Sequence, residues 1–135
     1  MSVGGVVGAA DPSGAARALI AAHQRLGFAL LVVLAAGVVL AVLAVRDARR
    51  LPTVRSYLWL ALAAVVLQGV AGISLLIAGQ RPGDALHIVY GPLTLVSLPL
   101  TLLYSRDRSP RREAWTLAAG FFVALLLAVR AVMTG

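Results

Sequence analysis

The chain has 135 residues, 61% of them hydrophobic and 13% charged, with a mean hydropathy of +0.95 and a net charge of +7. An ordinary soluble domain is about 25% charged, so this composition excludes a disordered chain and argues against a water-soluble globule, whose small core would not hide so much apolar surface. The absence of cysteine removes disulfides, thiolate metal sites and cysteine nucleophiles.

Residues 1–13 are rich in glycine and alanine, lack a basic segment and read as a flexible tail, not a cleavable signal peptide. The first apolar run, Leu26–Val45, is uninterrupted, and its helix can start as early as Ser13, after Pro12. A bilayer core needs about 20 helical residues, and a first span is placed at 18–45. The second span, 56–78, is broken only by Gln68 and small residues. After the short turn Gly79–Asp84 comes a third span, 84–104, in which Pro92 and Pro99 are expected to kink the helix. Thr94, Ser97 and Thr101 stand where their hydroxyls are expected to satisfy the backbone groups those prolines free. The fourth span is 113–133. With such short connections the expected fold is an all-α integral membrane protein of one domain, 1–135: a four-transmembrane-helix up-down antiparallel bundle.

The basic residues are all arginine, a usage that fits a GC-rich bacterial genome. On a soluble protein this charge would suggest nucleic acid. Here the arginines fall between apolar runs, where they direct membrane topology, and no nucleic-acid partner is expected. Arg46, Arg49, Arg50 and Arg55 occupy the first connection, and Arg106, Arg108, Arg111 and Arg112 the third. Only Arg17, Arg25, Arg81 and Arg130 belong to the other side. Positive charge stays inside, so both termini are expected outside a bacterial plasma membrane. Tyr57, Trp59, Tyr104 and Trp115 then form an aromatic belt at the inner interface.

The two histidines, His23 and His87, each lie near the start of an odd-numbered span, so both are expected at one depth near the outer face. Each is followed four residues later by glycine, Gly27 and Gly91. Residues i and i+4 share a helix face, which leaves bare backbone beside each imidazole, the clearance a flat macrocycle needs. Inward seams are expected along His23, Gly27, Leu30, Leu34, Gly37, Ala41 and Ala44, and along His87, Gly91, Thr94, Leu98 and Thr101. Two facing neutral imidazoles suit the axial positions of haem iron; the alternative is that each histidine is an interfacial residue bonded to water or a carbonyl. A zinc or non-haem iron site would lack ligands, since Asp84 and Asp11 are the only carboxylates on that side.

Arg25 and Arg81 are the candidates to pair with haem propionates, because guanidinium grips a carboxylate in a fork. Arg130 is within reach of the same region. Gln68 is expected to bond between helices, Gly72 to make room for a macrocycle, and Tyr90 to touch a ring edge. Interfacial anchoring explains Tyr90 equally well, and snorkelling to headgroups explains Arg25 and Arg130.

The stretch 66–94, VLQGVAGISLLIAGQRPGDALHIVYGPLT, resembles a helix pair of the haem A synthase family, in which a Leu-Gln and glycine-bearing span precedes a histidine-bearing one. Residues 21–27, AAHQRLG, are similar to that family's other histidine helix, with Gln24 inserted between histidine and arginine. The resemblance covers helices one to three and implies half of a two-half protein, with His23 and His87 as paired ligands and Arg25 as a looser match. The catalytic half of the family carries a glutamate three residues before its first histidine, where this chain has Ile20. The resemblance therefore implies the electron-transferring or structural half.

The expected function is that of a b-type haem-binding membrane protein, with His23 and His87 as the metal ligands of one haem b, in electron transfer or haem handling. The expected partners are the lipid bilayer and an unidentified redox partner or membrane complex, and a homo-oligomer is compatible. The alternatives are a cofactor-free structural or assembly subunit and haem A synthase-like catalysis by a dimer. Whether the chain is itself an enzyme stays open at this point.

Overall fold

A computed structural model describes residues 13–135 as helices joined by short connections. The tail expected at 1–13 and the carboxylate of Asp11 lie outside the described residues, Ser13 excepted. The helices are α1 (Gly14–Arg46), α2 (Ala48–Arg50, a single 3-10 turn), α3 (Leu51–Ile77), α4 (His87–Ser105) and α5 (Pro110–Thr134). The four long ones, α1, α3, α4 and α5, are each long and apolar enough to cross a membrane.

The boundaries follow from local chemistry. Ser13 caps α1, its hydroxyl accepting from the Ala16 amide at 3.3 Å. Asp47 ends α1 in an extended conformation, and its carboxylate accepts from the Arg49 amide at 3.1 Å to start the 3-10 turn. Pro52 and Pro110 lie in the first turns of α3 and α5, where a missing N–H costs nothing. Helix α3 stops at Gly79, whose φ of +78° suits a residue without Cβ. The amides of Gly79 and Gln80 then donate back to the carbonyls of Leu76 and Leu75, closing a Schellman motif. Helix α4 begins at His87, three residues later than expected, because the Asp84 carboxylate holds 84–86 in a turn by accepting from the Leu86 amide at 2.9 Å.

Small residues set the packing. The buried residues of α1 are Gly27, Leu30, Leu34, Gly37, Ala41 and Ala44, the seam expected after His23. On α4, Thr94 and Leu98 are buried as expected. Helix α5 offers Ala114, Ala118, Ala124 and Ala128 along its buried face and packs closely on both α1 and α4. Phe121 fills the space left by the missing side chain of Gly37, and Thr101 fills that of Gly120. Helices α1 and α4 lie on a diagonal with no close backbone approach, and α3 packs on α4 less closely than α4 packs on α5.

The core is lopsided. Fully buried apolar side chains extend from the arginine-rich end only as far as Leu30 on α1, Val65 on α3 and Ala128 on α5. Beyond that level, toward His23 and His87, none of the described apolar side chains is fully buried.

Two expectations need correction. Tyr57 does not join an interfacial belt: its hydroxyl donates to the Val33 carbonyl at 2.8 Å and its ring lies 6.1 Å from that of Phe121. A half-buried phenol needs a partner for its O–H, and the α1 backbone supplies one. Trp59, Tyr104 and Trp115 are exposed, as a belt requires. At the same end Glu113 is buried, and Arg55 grips it with two hydrogen bonds of 2.6 Å, joining α3 to α5. The hydroxyls of Thr94, Ser97 and Thr101 donate to the carbonyls of Tyr90, Thr94 and Ser97. The prolines free other carbonyls, those of Ile88 and Leu95 four residues before each ring.

Candidate functional site

The start of α1, the end of α3, the start of α4 and the end of α5 meet at one end of the molecule, and both histidines lie there. Their ring centroids are 6.0 Å apart and the ring planes are inclined by 71°. The rings therefore bridge the diagonal that the backbones of α1 and α4 leave open.

Each ring is positioned by a different neighbour. The Nδ1 atom of His87 lies 2.7 Å from the carbonyl oxygen of Ala131 on α5. A carbonyl only accepts, so Nδ1 carries the proton and Nε2 keeps its lone pair. The turn before His87 is anchored to the same helix, since the Asp84 amide donates to the Thr134 carbonyl at 3.1 Å.

His23 is set by α3. The Gln68 side-chain nitrogen donates to the His23 carbonyl at 3.1 Å and lies 3.4 Å from His23 Nε2. The carbonyl fixes which end of the amide points at α1, so what faces His23 Nε2 is an N–H donor. Nε2 must then hold a lone pair and Nδ1 the proton. That Nδ1 is buried without a partner among the described residues, as is Oε1 of Gln68. Both histidines thus reach the same tautomer by independent routes, with the Nε2 lone pair of His23 turned to the Gln68 amide.

Gly72 makes room for an imidazole. A Cβ at Gly72 would lie 3.1 Å from His23 Cε1, so the ring rests on the α3 backbone. Gly27 faces Gln68 Nε2 at 3.3 Å by the same measure, whereas a Cβ at Gly91 would meet nothing within 4 Å.

Two adjoining cavities flank the histidines. The inner one, about 190 Å³, reaches Leu30, Val65, Thr94 and Ala128. The outer one, about 470 Å³, reaches Gln24, Gln80, Arg81 and Pro82. Both histidines, Gly27, Gln68 and Gly72 lie in the walls of both. Together they fall within the range of small-molecule and cofactor sites, about 300–1,000 Å³, and they occupy the part of the bundle where the core gives out.

Of the expected site residues, His23, His87, Gly27, Gly72, Gly91 and Arg81 line these cavities. Arg25 does not: it is exposed, and two residues from His23 it points to another face of α1. Tyr90 lines neither cavity, and its ring lies under the Arg130 guanidinium at 5.5 Å. This cation–π contact joins α4 to α5 and accounts for Arg130 as well. Sequence reasoning missed the role of the Ala131 carbonyl, because no side-chain pattern marks a backbone acceptor.

The donor set suits a metal held between two imidazoles. An ion bonded at about 2 Å to one nitrogen of each ring holds their centroids roughly 6 Å apart. Among the described residues no three His, Asp or Glu side chains converge, so a metal here would have only two protein ligands and would need the rest from another source.

Comparison with protein-family models, with curated proteins and with solved structures finds no match.

Proposed function

We propose that this chain is a multi-pass membrane protein that binds one b-type haem, with Nε2 of His23 and of His87 as axial ligands, and serves in electron transfer or haem handling. The observation that carries this reading is the ring pair: centroids 6.0 Å apart, with His87 Nδ1 on the Ala131 carbonyl and the Gln68 amide nitrogen beside His23 Nε2, contacts that favour a lone pair on each Nε2. A metal-binding imidazole normally donates its other N–H to a carbonyl or carboxylate, which orients the ring and raises its basicity. His87 does this with Ala131. Bound iron would supply one-electron chemistry. The protein's part is to hold the imidazoles, exclude water with its apolar wall and keep the local dielectric low.

The remaining features have places in this account. Arg81, the one charged side chain among the described residues of the outer cavity wall, would pair with a propionate. The helices would alternate in direction as an up-down bundle, with the eight arginines of the first and third connections in the cytoplasm and the haem site toward the outer face of a bacterial plasma membrane. Exposed apolar residues such as Phe28, Val32, Ile73 and Leu103 would face lipid. Oxygenating chemistry of the haem A synthase kind lacks its acid: the only glutamate is gripped by Arg55, at the far end of the bundle.

A second reading is a cofactor-free assembly subunit, favoured by one observation. Gly37 and Gly120 are used in helix packing, so small residues in these seams do not by themselves imply a ligand. The two readings separate on one preparation. Protein purified from haem-replete cells is expected to carry a Soret band, and that band is expected to be lost when His23→Ala and His87→Ala are combined. Protein without such a band, or a band indifferent to both substitutions, favours the assembly reading.

A further inference from the structure

We propose that the histidine site is loaded sideways out of the bilayer, through a slit between α3 and α4, by a flat and largely apolar ligand that carries its anionic edge toward Arg81. The orientation of the ligand rests on the reading of His23 and His87 as axial ligands; the route rests on separate observations.

The first is where the inner cavity breaks the surface. Among the described residues, the exposed ones in its wall all belong to α3 or α4: Ile73, Ile88 and Pro92. On α1 and α5 the wall is buried at Gly27, Leu30 and Ala128 and half-buried at His23, Ala131 and Val132. The second is the looseness of that seam. Helix α3 packs on α4 less closely than on α1, and the connection between α3 and α4, residues 78–86, is the longest between helices.

The third is the kind of glycine found there. At Gly37 and Gly120 a neighbour occupies the space of the missing side chain, but at Gly69 on α3 and Gly91 on α4 a Cβ would meet nothing within 4 Å. Packing does not require glycine at these two positions. Their missing side chains leave the slit open at the depth of the histidines.

The wall chemistry selects the ligand. Among the described residues, the inner cavity has no charged side chain, and its polar ones are His23, Gln68, His87 and Thr94. The outer cavity adds Arg81, the one charged side chain among the described residues of its wall. An inorganic ion or a sugar would lose its hydration here with little return. A planar amphiphile with carboxylates on one edge meets apolar walls along its body and a guanidinium at its rim.

The test uses the full chain in phosphatidylcholine nanodiscs, with haemin or iron-free protoporphyrin IX delivered from protein-free vesicles. Gly69→Leu and Gly91→Leu fill the slit from either side, with Gly69→Ala and Gly91→Ala as smaller fillers should a leucine variant fail to fold. Val70→Leu and Val89→Leu add bulk to exposed positions of α3 and α4 that line neither cavity. Each slit leucine variant is expected to slow uptake of both porphyrins by about tenfold or more, while Val70→Leu and Val89→Leu stay within about twofold of the wild type. Wild-type uptake rates in the slit variants, or equal slowing by Val70→Leu or Val89→Leu, would overturn the route. Protoporphyrin keeps route and ligation apart. Should histidine ligation fail, the haemin spectrum loses its dependence on His23 and His87, yet slit variants still take up protoporphyrin slowly.

Discussion

At Gln68 a single amide group bears on the tautomer of His23. Its nitrogen is tied to the His23 carbonyl at 3.1 Å and faces the ring Nε2 at 3.4 Å, a contact long enough for a metal to replace. Two substitutions of similar size should therefore act unequally. Gln68→Leu removes the donor and leaves the Nε2 lone pair bare. Gln68→Glu places an acceptor against Nε2, draws the proton there and removes its lone pair. The glutamate variant is expected to release haemin to a scavenger protein about tenfold or more faster than the leucine variant, in the range seen when the group that orients a metal-binding imidazole is changed. Equal release from the two variants, or faster release from Gln68→Leu, would mean that Gln68 acts only through packing.

Among the elements, α5 closes the bundle, and two of its contacts can be tested. Gly37→Leu would drive a side chain into the space held by Phe121. We expect it to destabilise the fold by about 1–3 kcal/mol through overpacking, read from thermal loss of helical circular dichroism, whereas Gly91→Ala should be neutral by the same measurement. The Arg55–Glu113 pair behaves differently. Arg55→Met leaves a buried carboxylate without its partner and should cost about 1–3 kcal/mol, less than a fully buried pair because Arg55 is half exposed. Arg55→Met with Glu113→Met should recover most of that loss. If the double variant is no more stable than the single, the pair holds α3 and α5 together in some way beyond charge compensation.

These elements also mark what the sequence made legible. The α1 seam from Gly27 to Ala44 was readable residue by residue, because steps of three and four on an apolar helix are a local property. The matched depth of His23 and His87 was readable from helix length alone. Tyr57 bonding Val33, and Arg55 gripping Glu113 across 58 positions, were not, since each depends on which helices become neighbours. Arg25 was a choice made on residue type, and the 3.6-residue period turns it away from His23. Gly72 carried a readable signal, a bare helix face, but only the fold decides that His23 itself fills it.

At the scale of the whole molecule, the lopsided core and the lopsided charge point to opposite ends. The arginine-rich end is packed and stapled; the other is hollow and holds both histidines. If the arginines set topology, the hollow end faces outward. The chain has no native cysteine, so single cysteines at Ser109 and at Gly83 report orientation directly. A membrane-impermeant maleimide added to intact cells is expected to label Gly83→Cys and leave Ser109→Cys unlabelled until the membrane is opened. The reverse pattern would invert the topology and place the site at the cytoplasmic face.

The central claim, two histidines on one haem iron, is tested most directly by reduced-minus-oxidised optical and low-temperature EPR spectra of the purified chain, wild type beside His23→Ala and His87→Ala. The account predicts a low-spin, six-coordinate haem at one per chain, converted by either single substitution to a high-spin, five-coordinate species. A wild type without haem, or a low-spin spectrum that survives either substitution, would contradict it.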